Sequence, residues 1–170
     1  MNSLVMMGVA GCGKSSAGQA LARKLGLPLI EGDEFHSPSN RDKMRQGLAL
    51  TDTDRADWLS ALGMALAQQK GGAVLTCSAL KRTYRDRLRA WAPNLRFVFL
   101  EIDPATARQR VTARAGEHLF PPSLVDSQFA TLESPVGESG VLRVDATQAL
   151  SSMTEIVARW LSDELNKDMT

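Results

Sequence analysis

The sequence predicts a doubly wound α/β fold around a mainly parallel, five-stranded sheet, and three observations carry that expectation. Short, nearly continuously apolar runs recur at residues 4–7, 27–30, 73–77, 95–100 and 141–144, as expected of central parallel strands covered on both faces. Helical candidates at 15–25, 55–70, 81–91, 104–114 and 153–165 alternate with them, the signature of βαβ units. Directly after the first run, Gly8-Val9-Ala10-Gly11-Cys12-Gly13-Lys14-Ser15 fits the pattern G-x-x-x-x-G-K-[ST].

Taken in order, the first run feeds a turn whose backbone N–H groups close around phosphate oxygens at a helix N-terminus. Gly8, Gly11 and Gly13 omit side chains where backbone and phosphate approach, and the pattern leaves Val9, Ala10 and Cys12 free to vary. Residues 8–16, through Ser16, form the expected nucleotide-binding stretch. Lys14 supplies a mobile charge near the β- and γ-phosphates, and Ser15 is placed to ligate Mg²⁺. This is P-loop NTPase chemistry, with kinase and hydrolase reactions both open at this point.

The second run ends at Glu31-Gly32-Asp33-Glu34-Phe35-His36. Ligands of doubly wound sheets gather at the carboxyl ends of strands, so these acids are brought near the phosphate loop. Asp33 is the favoured catalytic base or alcohol-orienting group. Glu31 and Asp33 flank a turn, and His36 either meets substrate or stabilises the following segment. Residues 34–54 read as a substrate-binding insertion containing a polar helical turn at 40–45. There Arg41 and Arg45 share a helix face and form a candidate clamp for a carboxylate, with solvated helix charges as the bland alternative. Asp52, Asp54 and Asp57 serve to cap or solvate the next helix, and Trp58 and Leu62 to pack it.

The third run leads into Cys77-Ser78-Ala79-Leu80-Lys81-Arg82-Thr83-Tyr84-Arg85. Ser78 is a candidate helix cap. Lys81 and Arg85, four apart, either point toward an anionic substrate or line a solvated flank. No acid ends this run, so the usual second magnesium-binding aspartate is missing. Asp103-Pro104 opens the fourth helix, which ends with Arg110 and Arg114, again four apart and placed to close over phosphates. Residues 115–140 read as a lid and return region, with an apolar stripe at Leu124, Phe129 and Leu132 marking a helix within 123–133. His118 has no paired ligand motif.

A chain of 170 residues with a formal charge of +1 supports one substantial core, a single domain over 1–170, and gives no broad case for nucleic-acid binding. Two cysteines, Cys12 and Cys77, make neither a disulfide framework nor a metal cluster. Without a basic leader at its opening or a membrane-length apolar run, the chain is expected to be cytoplasmic, with no membrane partner.

Together these segments resemble the gluconokinase family of small P-loop carbohydrate kinases, over nearly the whole chain. The resemblance rests on Gly8 to Ser15, Gly32-Asp33-x-x-His36, Asn40-Arg41-Asp42-Lys43-Met44 and Asp52-x-Asp54-Arg55-x-x-Trp58-Leu59. It extends through Cys77-Ser78-Ala79-Leu80-Lys81-Arg82-x-Tyr84-Arg85-Asp86 and Gln128-Phe129-x-Thr131-Leu132-Glu133-x-Pro135. It implies a nucleoside-monophosphate-kinase-like core, a closing lid, a homodimer, and ATP-dependent phosphorylation of D-gluconate with Mg²⁺. By the same resemblance Lys14 and the loop hold ATP, Ser15 ligates Mg²⁺, and Glu31 stands where relatives often carry aspartate and reaches the metal through water. Asp33 activates the alcohol, Arg110 and Arg114 close on the transferring phosphate, and Arg41, Lys81, Arg85 and His36 contact gluconate. Shikimate kinase is the nearest alternative, disfavoured because residues 77–85 lack its glycine-rich acceptor motif. Nucleoside-monophosphate phosphorylation and a nucleotide-dependent interaction switch are the others.

Overall fold

A computed structural model describes residues 3–114 and 121–169. Its strands are β1 (Leu4–Met7), β2 (Leu29–Glu31), β3 (Val74–Thr76), β4 (Arg96–Glu101) and β5 (Val141–Asp145). They form one wholly parallel sheet in the order β2-β3-β1-β4-β5. Every residue of β1 is buried, and Val5 pairs with Leu75 on one side and Phe97 on the other. The strand that feeds the phosphate loop is therefore the central one, and the loop opens at the middle of the sheet's carboxyl edge.

The helices are α1 (Lys14–Leu25), α2 (Pro38–Arg45), α3 (Asp52–Gln68), α4 (Arg82–Trp91), α5 (Pro104–Ala113), α6 (Ser123–Thr131) and α7 (Leu150–Asp168). Local chemistry sets most of their starts. Ser37 caps α2 by accepting from the Asn40 N–H at 3.1 Å, with Pro38 in the first turn. Thr51 and Asp54 form a reciprocal capping box on α3, and Asp103 accepts from the Thr106 N–H at 2.9 Å to open α5. Within the doubly wound sheet α1 packs on α7, and α3 on α4.

Three boundaries depart from the sequence reading. The second strand begins at Leu29 rather than residue 27, because the Leu27 N–H closes α1 on Ala22 O and Pro28 has no N–H to donate. Ser78 does not cap α4: the chain turns at Ala79, a non-glycine residue at φ 46°, and Lys81 occupies the cap without a side-chain bond. Residues 34–54 are more regular than expected, carrying the end of a 3-10 turn (Gly32–Phe35) and then α2. Of the expected lid and return region, residues 115–120, with His118, lie outside the described residues, and α6 occupies the return.

One large apolar cluster fills the sheet–helix interfaces, and a satellite of Met44, Leu50 and Leu124 joins α2 to α6. That satellite becomes a wall of the site. Among the described residues, no helix is long and apolar enough to cross a membrane.

Candidate active site

The phosphate loop takes its shape from close backbone approaches. Gly8 N–H donates to Ser78 O at 3.3 Å, tying the loop to the turn after β3. Gly11 sits at φ +86°, and a Cβ there would lie 2.7 Å from Ala107 O, so α5 packs where only glycine fits. Val9, Ala10 and Cys12 are buried, leaving the loop's main chain to face the cleft. Lys14 Nζ donates to Gly8 O and Val9 O at 3.0 and 3.1 Å. Arg110 reaches back from α5 to Gly11 O (3.3 Å) and Ala146 O (3.2 Å). Gly11, Gly13, Lys14, Ser15, Asp33 and Arg114 border one recess, with Ser16 at its edge. Lys14, Ser15, Asp33 and Arg114 are thus brought together at one recess, and Arg110 lies beside it on Gly11 O.

Beside this recess, three oxygen-bearing side chains meet. Glu31 Oε2 accepts from Thr76 Oγ1 at 2.6 Å and from Ser15 Oγ at 3.1 Å, and Thr76 Oγ1 in turn accepts from Gly32 N–H at 3.2 Å. The ends of β2 and β3 are pressed together here, since a Cβ on Gly32 would lie 2.1 Å from Thr76 O. A hydroxyl and a carboxylate converging at a helix N-terminus suit Mg²⁺, which takes hard oxygen ligands and fills its shell with phosphate and water. Among the described residues, no group of three or more histidine, cysteine or acidic side chains is placed to hold a metal ion.

A second recess adjoins the first. Lys14, Asp33, His36, Arg55, Ser78 and Gln128 give it polar groups, and Met44, Leu50, Leu124 and Trp58 supply apolar walls. His36 stacks on Trp58 with ring centroids 4.2 Å apart, and Trp58 Nε1 donates to Gly32 O at 2.8 Å. Burial lowers the His36 pKa to about 4, with Arg41 and Arg55 acting in the same direction against Asp33, so the imidazole is neutral at pH 7. Its Nδ1 is buried without a hydrogen-bond partner among the described residues. Arg55 donates to Leu50 O at 2.8 Å and to the Tyr84 hydroxyl at 3.1 Å, which holds its guanidinium at the rim.

Four expected substrate contacts are placed elsewhere. Arg45 is solvent-exposed and pairs with Asp42 at 2.9 Å, while Arg41 turns the other way to Asp33 O (3.1 Å) and His36 O (3.3 Å). The two do not converge on a carboxylate, because the short α2 lets one side chain fold back and the other extend into water. Lys81 pairs with Asp52 at 3.1 Å, and Tyr84 hydrogen-bonds the same carboxylate, holding it below the usual range. Arg85 is wholly enclosed. It donates to Ala79 O (2.7 Å), Leu80 O (3.2 Å), Glu133 O (3.1 Å) and Glu138 Oε2 (2.6 Å), so it braces the fold and has no face toward the recess. Burial works to raise the Glu138 carboxyl, and bonds from Arg85 and Arg89 overcome it and hold the carboxyl low.

Arg55, Ser78 and Gln128 were not foreseen at the site, and Trp58 was expected only to pack. A signal existed for two of them: Arg55 and Trp58 lie three apart at the start of α3, hence on one helix face. Cys77 is no nucleophile, since burial pushes its thiol up to about 12.

The fold and its phosphate loop define a nucleotide-binding P-loop protein of the kinase type, and residues 4–135 match the protein family described as AAA domain. The chain is 42% identical over 164 residues to a gluconokinase of Gluconobacter oxydans, covering 95% of this chain and 92% of that protein. The crystal structure of a gluconokinase from Sinorhizobium meliloti 1021 superposes with a TM-score of 0.89 at 44% identity, over 99% of this chain and 95% of the other. An unliganded sugar kinase from Janibacter sp. HTCC2649 gives a TM-score of 0.89 at 37% identity, covering 95% of each chain. The chain belongs to the gluconokinase family.

Proposed function

We propose that the chain transfers the γ-phosphoryl group of ATP to the terminal hydroxyl of D-gluconate, giving 6-phospho-D-gluconate and ADP. One observation carries the geometry of this reading: the phosphate recess and the second recess share two lining residues, Lys14 and Asp33. A phosphate donor in one and an alcohol in the other would meet between a cation and a carboxylate, the pair that phosphoryl transfer needs.

In this reading the loop N–H groups and Lys14 hold the phosphates, Lys14 exchanging its loop carbonyls for phosphate oxygens. Ser15 would hold Mg²⁺, with Glu31 reaching it through water, and the ion would supply charge neutralisation along the phosphates. Asp33 orients the attacking hydroxyl and takes its proton. Arg110 and Arg114 meet the charge on the transferring group from the α5 side. His36 contacts the polyol, Arg41 braces the 33–36 turn through its main-chain bonds, and Arg55 is the cation facing the acceptor, suited to its carboxylate. The family resemblance also supports a cytoplasmic homodimer, with 1–170 acting as one kinase domain.

Purified protein with ATP, Mg²⁺ and gluconate is expected to form ADP and 6-phosphogluconate in equal amounts. Shikimate and nucleoside monophosphates are expected to turn over far more slowly when offered in competition. ATP binding without acid-dependent ADP release would instead favour an interaction switch.

A further inference from the structure

We propose that Gln128 determines acceptor specificity: its Nε2 donates to the acceptor hydroxyl adjacent to the one phosphorylated, while its Oε1 holds the phosphate loop. The proposal rests on the gluconate reading, for which the adjacent group is the 5-hydroxyl. It begins with the Ala10 N–H, which donates to Gln128 Oε1 at 2.6 Å across 118 residues of sequence. A backbone N–H is only a donor, so it settles which end of the carboxamide is oxygen and turns the NH₂ end away from the loop.

Gln128 lines the acceptor recess with Lys14 and Asp33, yet only 6% of it is exposed. Among the described residues its Nε2 has no hydrogen-bond partner, nor is that nitrogen fully shut off from solvent. A donor held in place and left open to the recess is a group awaiting a ligand oxygen. The neutral imidazole of His36 also lines this recess, its Nδ1 without a hydrogen-bond partner among the described residues. Met44, Leu50 and Leu124, one apolar cluster, line the same recess. An extended polyhydroxy chain matches this arrangement, with C–H edges on the apolar wall and hydroxyls on the two nitrogens. Because the carboxamide is anchored on the phosphate loop, the hydroxyl it reads lies near the reacting end.

The test compares gluconate with 5-deoxygluconate in the wild-type protein and in Gln128→Met, which retains volume and loses both amide functions. Removing the 5-hydroxyl should lower wild-type kcat/KM by about tenfold or more, and in Gln128→Met the two acceptors should become nearly equivalent. An unchanged ratio between the acceptors in the variant overturns the proposal, leaving Gln128 as a loop anchor seen in the KM for ATP alone. Equal use of both acceptors by the wild type overturns it as well. If Gln128→Met does not fold, Gln128→Ala removes the carboxamide and leaves room for water at the Ala10 N–H, and the same loss of discrimination is expected. A wild type that phosphorylates neither acid refutes the gluconate reading and this inference with it, whereas turnover of gluconate with no 5-hydroxyl effect refutes the inference alone.

Discussion

Arg110 and Arg114 in α5, and Lys81 and Arg85 at the start of α4, are both cationic pairs four residues apart near the carboxyl edge of the sheet. The first pair stays beside the phosphate loop, with Arg110 on Gly11 O and Arg114 on the phosphate recess. In the second, Lys81 pairs with Asp52 and Arg85 is sealed against Glu138. Arg85 also holds Ala79 O, the carbonyl of a residue in the left-handed region, in the turn whose Ser78 carbonyl receives the Gly8 N–H. In the first pair Arg114 lines the phosphate recess and Arg110 rests on main-chain carbonyls; in the second both cations have met carboxylates within the chain. Identical spacing therefore says which residues share a face, and the neighbouring carboxylates say whether that face binds substrate or buttresses the site.

The sharpest way to break this contrast is at the junction of the two recesses. Asp33→Asn should reduce kcat roughly a thousandfold with little change in Tm, as expected for loss of a general base; wild-type turnover would remove Asp33 from that role. The buttress should respond in the opposite manner. Arg85→Met leaves the buried Glu138 carboxylate to Arg89 alone and takes the donor from the Ala79, Leu80 and Glu133 carbonyls, and should lower unfolding stability by about 3 kcal/mol in denaturant titrations, while the folded fraction keeps its KM for gluconate. A selective rise in that KM at constant stability would return Arg85 to the substrate.

Thr76→Val tests a subtler link, because Thr76 sets Glu31 against Ser15 without facing either recess. The Mg²⁺ concentration for half-maximal rate should rise about tenfold, with Thr76→Ser close to wild type. Binding of Mn²⁺ in the presence of ADP should weaken in parallel. The smallest effect is expected at Arg45, whose ion pair with Asp42 is solvent-exposed. Arg45→Ala should change stability by less than about 0.5 kcal/mol and leave the KM for gluconate unaltered.

Much of the fold was readable because its signals are local. Four strands begin and end within one residue of the apolar runs that predicted them, and β2 starts two residues late by the shift that Pro28 imposes. The phosphate loop and the cap at Asp103 declare themselves within a few residues, whereas the cap of α3 falls on Thr51, with Asp54 as its partner, and not on the acids alone. The acceptor recess was read less well. Arg45 and Arg85 were assigned from spacing, and spacing carries no information on the carboxylate waiting 53 residues away at Glu138. Gln128 was passed over because its partner, the Ala10 N–H, lies 118 residues away, and Arg55 because its shared helix face with Trp58 reads equally well as packing.

Local sequence was enough for the alternating α/β order, the nucleotide loop and the acid after β2, since each depends on groups a few residues apart whose geometry the backbone dictates. Tertiary structure alone decided which cations face the cleft, where Glu31 meets Ser15 and Thr76, and how Gln128 comes to rest on Ala10. Those contacts join residues 16 to 118 positions apart. They are selected by burial and by the need to satisfy every enclosed polar group, which only the packed chain can arbitrate.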